Sequence, residues 1–327
     1  MKTRINRFVR GSSLLVCGFG LLTLARAQEA PRFTGIQSLT NKEVLLKLSA
    51  PAGPNYRIDT TTNLPGWNGL LTVPGAASIV QHTDTAAPYH PSRVYRAVQL
   101  SGNQGLTGDH LATTNGDVVM HPIKHATFVM SWQGKLIYND PVGVASQYSG
   151  LAKADLILVS HSHGDHFSAT TIDAVRAPAS VIIVPQAVYN SLSTAQKSIT
   201  VVLTNGASAN ALGLAIAALP AYNQNHPRGT GNAYLLTVGG KRIYLSGDTE
   251  DIPEMRALAD IDVAFVCMNV PYTMSVTKAV SAVREFRPGV VYPYHYQNLD
   301  NSFADLNAFK QQVGRDLGIE VRLRTWY

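Results

Sequence analysis

Residues 160–167 read SHSHGDHF and set three imidazoles and one carboxylate, His161, His163, Asp165 and His166, within six positions. Zinc and similar divalent cations take imidazole nitrogen and carboxylate oxygen as ligands. On a loop leaving a strand, this spacing sends two side chains one way and two the other, which suits two adjacent cations better than one. Gly164 lets the backbone turn between them. A helical HExxH motif holds its histidines four residues apart on one face, and this spacing does not fit that geometry. Two cations need more donors than four. The chain offers His226 in NQNHPRG, Asp248 in LSGDTE and His295 in YPYHYQN. Each falls in a loop or at a strand end, where open sheets collect their active-site groups. On residue type alone, His226 could also be a solvated loop residue, Asp248 a turn aspartate and His295 a core histidine.

The elements that must position these groups alternate between strand and helix over residues 109–327. LIYND (136–140) is a strand ending in Asp140, and DLILVS (155–160) is an apolar strand running into the histidine-rich stretch. SATTIDAVRA is helix-like and SVIIVP strand-like. AYLLTVGGKRIYLSGDT reads as a hairpin turning at Gly239-Gly240, its second strand leading to Asp248. IDVAFVCMN (261–269) is a strand, VTKAVSAVREF a helix, and GVVYPYHY a strand ending at His295. SFADLNAFKQQVGRDLG is the last helix and EVRLR the closing strand. Period-2 alternation around His295 sends Tyr294 and Tyr296 to the opposite face, as core. Tyr222 and Tyr272 are candidates to line the pocket. His82, His90, His110 and His121 belong to no such motif and are expected on the surface.

Residues 28–100 look different. Short alternating runs such as VLLKLSA, PNYRIDTTT and SRVYRAVQL are separated by Pro, Gly and Asn. They predict a small antiparallel β-sandwich, a spacer or binding module without chemistry of its own. SGNQGLTG (101–108) is the expected linker.

Residues 1–27 have the composition of a secretory signal peptide. Lys2, Arg4, Arg7 and Arg10 precede an apolar run too short to span a bilayer comfortably, and Ala25-Arg26-Ala27 offers a cleavage site. A periplasmic or secreted location is therefore expected, with no stable membrane span after cleavage. The 327-residue chain carries a formal net charge of +6, and residues 1–27 hold five basic and no acidic residues, so the mature chain falls to +1. Nothing electrostatic then favours nucleic acid as a partner. An apolar content of 45% and a charged content of 15% suit a globular fold. Cleavage leaves Cys267 alone in an apolar strand, where a buried, unreactive thiol is the expectation.

An HxHxDH run after an apolar strand, followed by a later His, a strand-end Asp and a strand-end His, resembles the metallo-β-lactamase superfamily over roughly residues 110–327. HATFVMSWQGKLIYNDPVG, YLSGDT and VVYPYHYQN are similar to the branch containing ascorbate-6-phosphate lactonase and N-acyl-phosphatidylethanolamine phospholipase D. The resemblance implies an α/β fold, an αββα sandwich preceded here by the small all-β module. It implies one cation held by His161, His163 and His226 and a second by Asp165, His166 and His295, with Asp248 bridging. Asp140 matches an aspartate that supports the metal histidines from behind, and His125 matches a histidine near the start of the family domain.

The implied activity is metal-dependent hydrolysis of an ester, lactone, amide or phosphodiester in a small-molecule or lipid-like substrate. Two divalent cations, Zn2+ or else Mn2+ or Fe2+, would supply a bridging hydroxide as nucleophile, oriented by Asp165. A catalytically inactive metal-binding or surface-binding protein of the same fold is the competing reading, and the full ligand set argues against it. No G-x-S-x-G elbow surrounds the serines of SHS.

Overall fold

The computed structural model describes residues 30–76, 78–101 and 105–327. The expected signal peptide lies outside them. Among the described residues the strands form three sheets, and no helix is long and apolar enough to cross a membrane.

The C-terminal part of the chain is built around a ten-stranded and a seven-stranded sheet packed face to face. In the first, Lys135–Asn139, Ala154–Leu158, Arg176–Val184 and Thr200–Val202 run parallel. Their apolar runs follow from burial on both faces. Leu156, Leu158 and Ile183 point between the sheets, whereas Ile157, Ile182 and Val184 point to the outer layer with Ile172 and Val175 of the Ala169–Val175 helix. That helix starts where the Ser168 hydroxyl accepts the Thr171 N–H. In the seven-stranded sheet, Lys241–Leu245, Val263–Cys267, Val290–Tyr294 and Glu320–Val321 are parallel, and the helices Val276–Phe286 and Leu306–Val313 contribute Val283, Phe286, Phe309 and Val313 to the same core. The rings of Phe128 and Phe265 stack across the two sheets at 4.3 Å between centroids, with Trp326 edge-on to both. The layers are those of the αββα sandwich. Parallel strands on both sides deliver their carboxyl ends to one edge, where Asp140, His161, Asp248 and His295 follow the last strand residues.

The N-terminal module is less separate than its sequence suggests. A three-stranded sheet of Arg32–Ser38, Val44–Ser49 and Ile79–Asp84 covers Tyr56, Ile58, Leu70 and Val73. The strands carrying those residues do not close the module, however. Asn68–Pro74 pairs with Gly108–Leu111 through Leu71–Asp109 and Thr72–Gly108, so the module's second layer is the end of the ten-stranded sheet. The SGNQGLTG stretch accordingly ends inside a strand at Gly108; its residues 102–104 lie outside the described ones. On the other side, the Thr85 and Tyr89 hydroxyls donate to the Glu320 carboxylate and the Ile319 carbonyl, and Lys310 pairs with Glu43 at 2.6 Å. A tethered spacer would make none of these contacts.

Burial at this junction corrects the surface expectation for three histidines. His110 is buried between Thr72 and Asp117. His121 is half-buried against Thr107. His82 has a buried Nε2, and burial first, then the Arg324 charge, pushes its pKa down to about 3. His90 is exposed. Tyr294 and Tyr296 are core residues, as is Tyr292. Cys267 is buried and its thiol is pushed up to about 11 by burial and then by the Asp248 charge.

Asp109 is a buried anion of the seam. Its carboxylate accepts from the Tyr292 hydroxyl at 2.8 Å and from the Arg324 guanidinium at 2.8 and 3.0 Å. Burial works against the charge, but Arg324 and Arg322 outweigh it and hold the carboxyl well below the ordinary range. Removing one partner of such a buried pair leaves an uncompensated charge. Asp109→Ala is therefore expected to cost about 3–5 kcal/mol in urea denaturation at neutral pH. Because the folded pKa is depressed, this contribution is present above the unfolded carboxylate pKa and fades as pH falls below it. A loss under about 1 kcal/mol would show that the seam does not depend on Asp109.

Candidate metal centre

The site is assembled around a buried carboxylate. Asp140 follows the Lys135–Asn139 strand with a left-handed backbone, φ +42°, and its side chain is fully buried. Its Oδ1 accepts the Ser160 N–H at 2.7 Å, and its Oδ2 accepts the Ser160 hydroxyl and the His166 Nδ1–H, each at 2.8 Å. With its one proton given to Asp140, the Ser160 oxygen is left to accept from His161 Nδ1, 3.0 Å away. Both imidazoles are thereby fixed with Nδ1 protonated and Nε2 turned inward, the atom left to meet a cation.

The inward atoms fall into groups small enough to hold ions. His161, His163 and His226 offer nitrogens lying within 4.8 Å of one another, and so do the donors of Asp165, His166 and His295, joined by His125. His161, His166 and Asp248 form a third such set, which links the first two. Asp248 divides its oxygens between them. Oδ1 lies 3.2 Å from His166 Nε2 and 3.3 Å from His295 Nε2, while Oδ2 lies 3.9 Å from His161 Nε2. His161 Nε2, His166 Nε2, His295 Nε2 and Asp248 Oδ1 are all buried without a hydrogen-bond partner. Buried polar atoms left unpaired are costly, and four in one spot facing each other call for a cation. His226 Nε2 and His163 Nδ1 stand 2.9 Å apart, a separation at which they satisfy each other by a hydrogen bond that a cation would replace.

The electrostatics point the same way. Burial disfavours charge on His166, but Asp248 and Asp140 outweigh it and raise its pKa well above the imidazole norm. At His161, burial and then the His166 charge lower the pKa well below that norm. Asp248 is held well below the carboxylate range, against burial, by His295 and His166. Three carboxylates, Asp140, Asp165 and Asp248, thus converge on imidazoles that cannot all be protonated together. Positive charge from bound metal would resolve that conflict.

The seven ligand candidates, Asp140 and His125 therefore meet at one edge of the sandwich. Three more residues belong there. Ser160 links Asp140 to two imidazoles, and its place directly before His161 was its signal. Asn223 holds His226, with Nδ2 2.7 Å from the ring Nδ1 and Oδ1 accepting the His226 N–H at 2.9 Å. His125 contacts Asp165 and Tyr327 contacts His125; nothing local in the sequence marks Tyr327. The two pocket-lining candidates lie further out. The Tyr222 hydroxyl donates to Glu254 under the Arg228 guanidinium, and Tyr272 is half-buried in the turn after Asn269.

Comparison with known proteins gives this geometry a context. Residues 120–295 match the family described as the β-lactamase superfamily domain. A metal-dependent hydrolase from Carboxydothermus hydrogenoformans is 32% identical over 213 residues, 61% of this chain and 93% of that protein. Among solved structures, a chain from Parabacteroides distasonis described as a metal-dependent hydrolase superposes with a TM-score of 0.58 at 38% identity, covering 66% of this chain and 97% of the other. A metallo hydrolase from the archaeon Ignicoccus hospitalis gives 0.55 at 27% identity, covering 63% and 94%.

Asp140→Asn keeps one acceptor for Ser160 but loses the anion that orients His166. Metal affinity should fall about 10–100-fold, read by competition with a chromophoric chelator. Unchanged affinity would show that the histidines hold their orientation without the carboxylate.

Proposed function

The chain belongs to the metallo-β-lactamase superfamily and is a metal-dependent hydrolase; on that premise we propose that it is a dinuclear enzyme, acting outside the cytoplasm on an ester, lactone, amide or phosphodiester bond. The observation that carries the dinuclear reading is the division of Asp248 between two sets of donors. One oxygen faces His161, which belongs with His163 and His226, and the other faces His166 and His295. Oxygens aimed at separate donor sets suit a carboxylate shared between two ions.

The residues present fit two divalent cations of the zinc class, with Mn2+ or Fe2+ as alternatives, since the donors are imidazole nitrogen and carboxylate oxygen throughout. When bound, the cations would supply Lewis acidity, lowering the pKa of water towards neutrality and polarising the oxygen of the bond attacked. The chain's own work is positional. Asp140 and Ser160 fix the tautomers of His161 and His166. Asp165, with a side chain 47% exposed, is the acidic ligand candidate that reaches the open side and can orient an attacking water. Asp248 is buried and excluded from that role by its neighbours.

The rim supports a substrate with an apolar portion, whether a small molecule or a lipid. Val144 follows Asp140 by four residues, and Val270, Leu299 and Phe303 lie in the loops after Cys267 and His295; all four are exposed. The last three stand together, with the Leu299 N–H on the Val270 carbonyl and the Phe303 ring 5.2 Å from Tyr327, which bonds His125. The near-neutral mature charge gives nucleic acid no purchase. The basic n-region and cleavage site at residues 1–27 support export to the periplasm or medium.

The test is a panel of chromogenic esters, lactones and bis-p-nitrophenyl phosphate with purified protein before and after chelation. Activity should vanish with EDTA and return with Zn2+. His161→Ala and Asp165→Ala should each lower kcat/KM by more than the roughly 100-fold typical of losing an outer support. Full activity in either variant would contradict the mechanism.

A further inference from the structure

His161, His166 and His226 each have a partner that orients the ring, Ser160, Asp140 and Asn223, and the exposed carboxylate, Asp165, has His125. The His125 Nε2 lies 3.2 Å from Asp165 Oδ2, and the Tyr327 hydroxyl lies 2.7 Å from His125 Nδ1. We propose that Tyr327 and His125 are positioning residues, a relay that holds the Asp165 carboxylate toward the second cation; this deepens the dinuclear reading and rests on it.

The polarity of the relay follows from its ends. Asp165 accepts hydrogen bonds, so a direct 3.2 Å contact with no cation between the two groups has His125 presenting Nε2–H to it. A neutral imidazole protonated at Nε2 has a free Nδ1, which accepts the proton of the Tyr327 hydroxyl. Each donor then has one acceptor, and all three groups are satisfied. In that tautomer His125 cannot itself bind metal through Nε2, although it stands among the second group of donors.

The surroundings hold both residues in place. His125 occupies the turn between the strands Val118–Lys124 and Thr127–Trp132 with φ +59°, in the left-handed region that non-glycine residues seldom adopt. Its N–H donates to the Trp326 carbonyl at 3.1 Å, and its carbonyl accepts the His295 N–H at 3.2 Å. The backbone of the relay is therefore tied directly to a ligand candidate on one side and to the buried Trp326 on the other. The His125 ring lies 3.8 Å from that of His295, and the Tyr327 ring packs 5.0 Å from Tyr296. His125 thus links Asp165, on the ten-stranded sheet's loop, to His295, on the seven-stranded one.

Three measurements on the full chain test the relay. Long-range 1H–15N correlation spectra should show His125 as the Nε2–H tautomer, and Nδ1–H would overturn the proposal whatever the number of metals bound. Zinc titration should show the second equivalent weakened about 10-fold or more in Tyr327→Phe and further in His125→Ala, with the first equivalent unchanged. His125→Gln, which keeps an N–H donor, should recover part of the loss, and kcat should fall with KM held. Unaltered second-site affinity in both Tyr327→Phe and His125→Ala would overturn the relay. So would a loss in His125→Ala equal to that in Asp165→Ala, because His125 would then be a ligand. A wild type that binds only one equivalent would instead contradict the dinuclear reading, with the tautomer still deciding the relay's direction.

Discussion

The carboxylate of Asp140 is the interaction on which the site depends. A fully buried anion must be matched by donors, and here every one of them comes from the histidine-rich loop: the Ser160 backbone and hydroxyl, and the His166 ring. The loop after Ala154–Leu158 is thereby tied to the end of the neighbouring parallel strand, and two imidazoles are forced to turn Nε2 inward. The Asp140 carbonyl is taken by the Thr127 hydroxyl at 2.5 Å and its N–H by the Leu158 carbonyl at 2.9 Å, so the residue cannot swing away. Loss of this anchor would free the ligand loop before it touched the core.

From that anchor the geometry builds outward. The ten-stranded sheet supplies Asp140 and the HSHGDH loop, and the seven-stranded sheet supplies His226, Asp248 and His295. Neither sheet has a complete set alone. The stacked pair Phe128 and Phe265 fixes the distance between the layers, and Trp326 closes over both. Packing and chemistry are coupled here, because a shift between layers would separate Asp248 from His161 and His166. The same residue that seals the core offers its carbonyl to His125, which carries the influence of packing to Asp165.

Much of this was legible in the sequence because the relevant signals are local. An apolar strand that runs straight into HSHGDH announces both the sheet and a cluster of donor groups at its carboxyl end. Asp140, Asp248 and His295 were found the same way, each at the end of an alternating or apolar run. Val276–Phe286 matches its sequence reading to the residue, since Ser275 caps it and five buried residues, Ala279 to Phe286, mark one face. Long-range pairing left no such trace. Nothing in LPGWNGLLTV says that Leu71 will pair with Asp109 and merge the module with the hydrolytic sheet. The burial of His82, His110 and His121 leaves no local trace for the same reason, as it is made by that junction. Tyr327 sits in no motif, and its role exists only because Trp326 folds back over the core beside His125.

The most direct test of the central claim is anomalous diffraction at the zinc edge from crystals of the zinc-loaded full chain. Two peaks about 3.5–4 Å apart are expected, one among His161, His163 and His226 and one among Asp165, His166 and His295, with Asp248 between them. A single peak at full loading, or a second peak away from Asp165 and His295, would contradict a dinuclear centre.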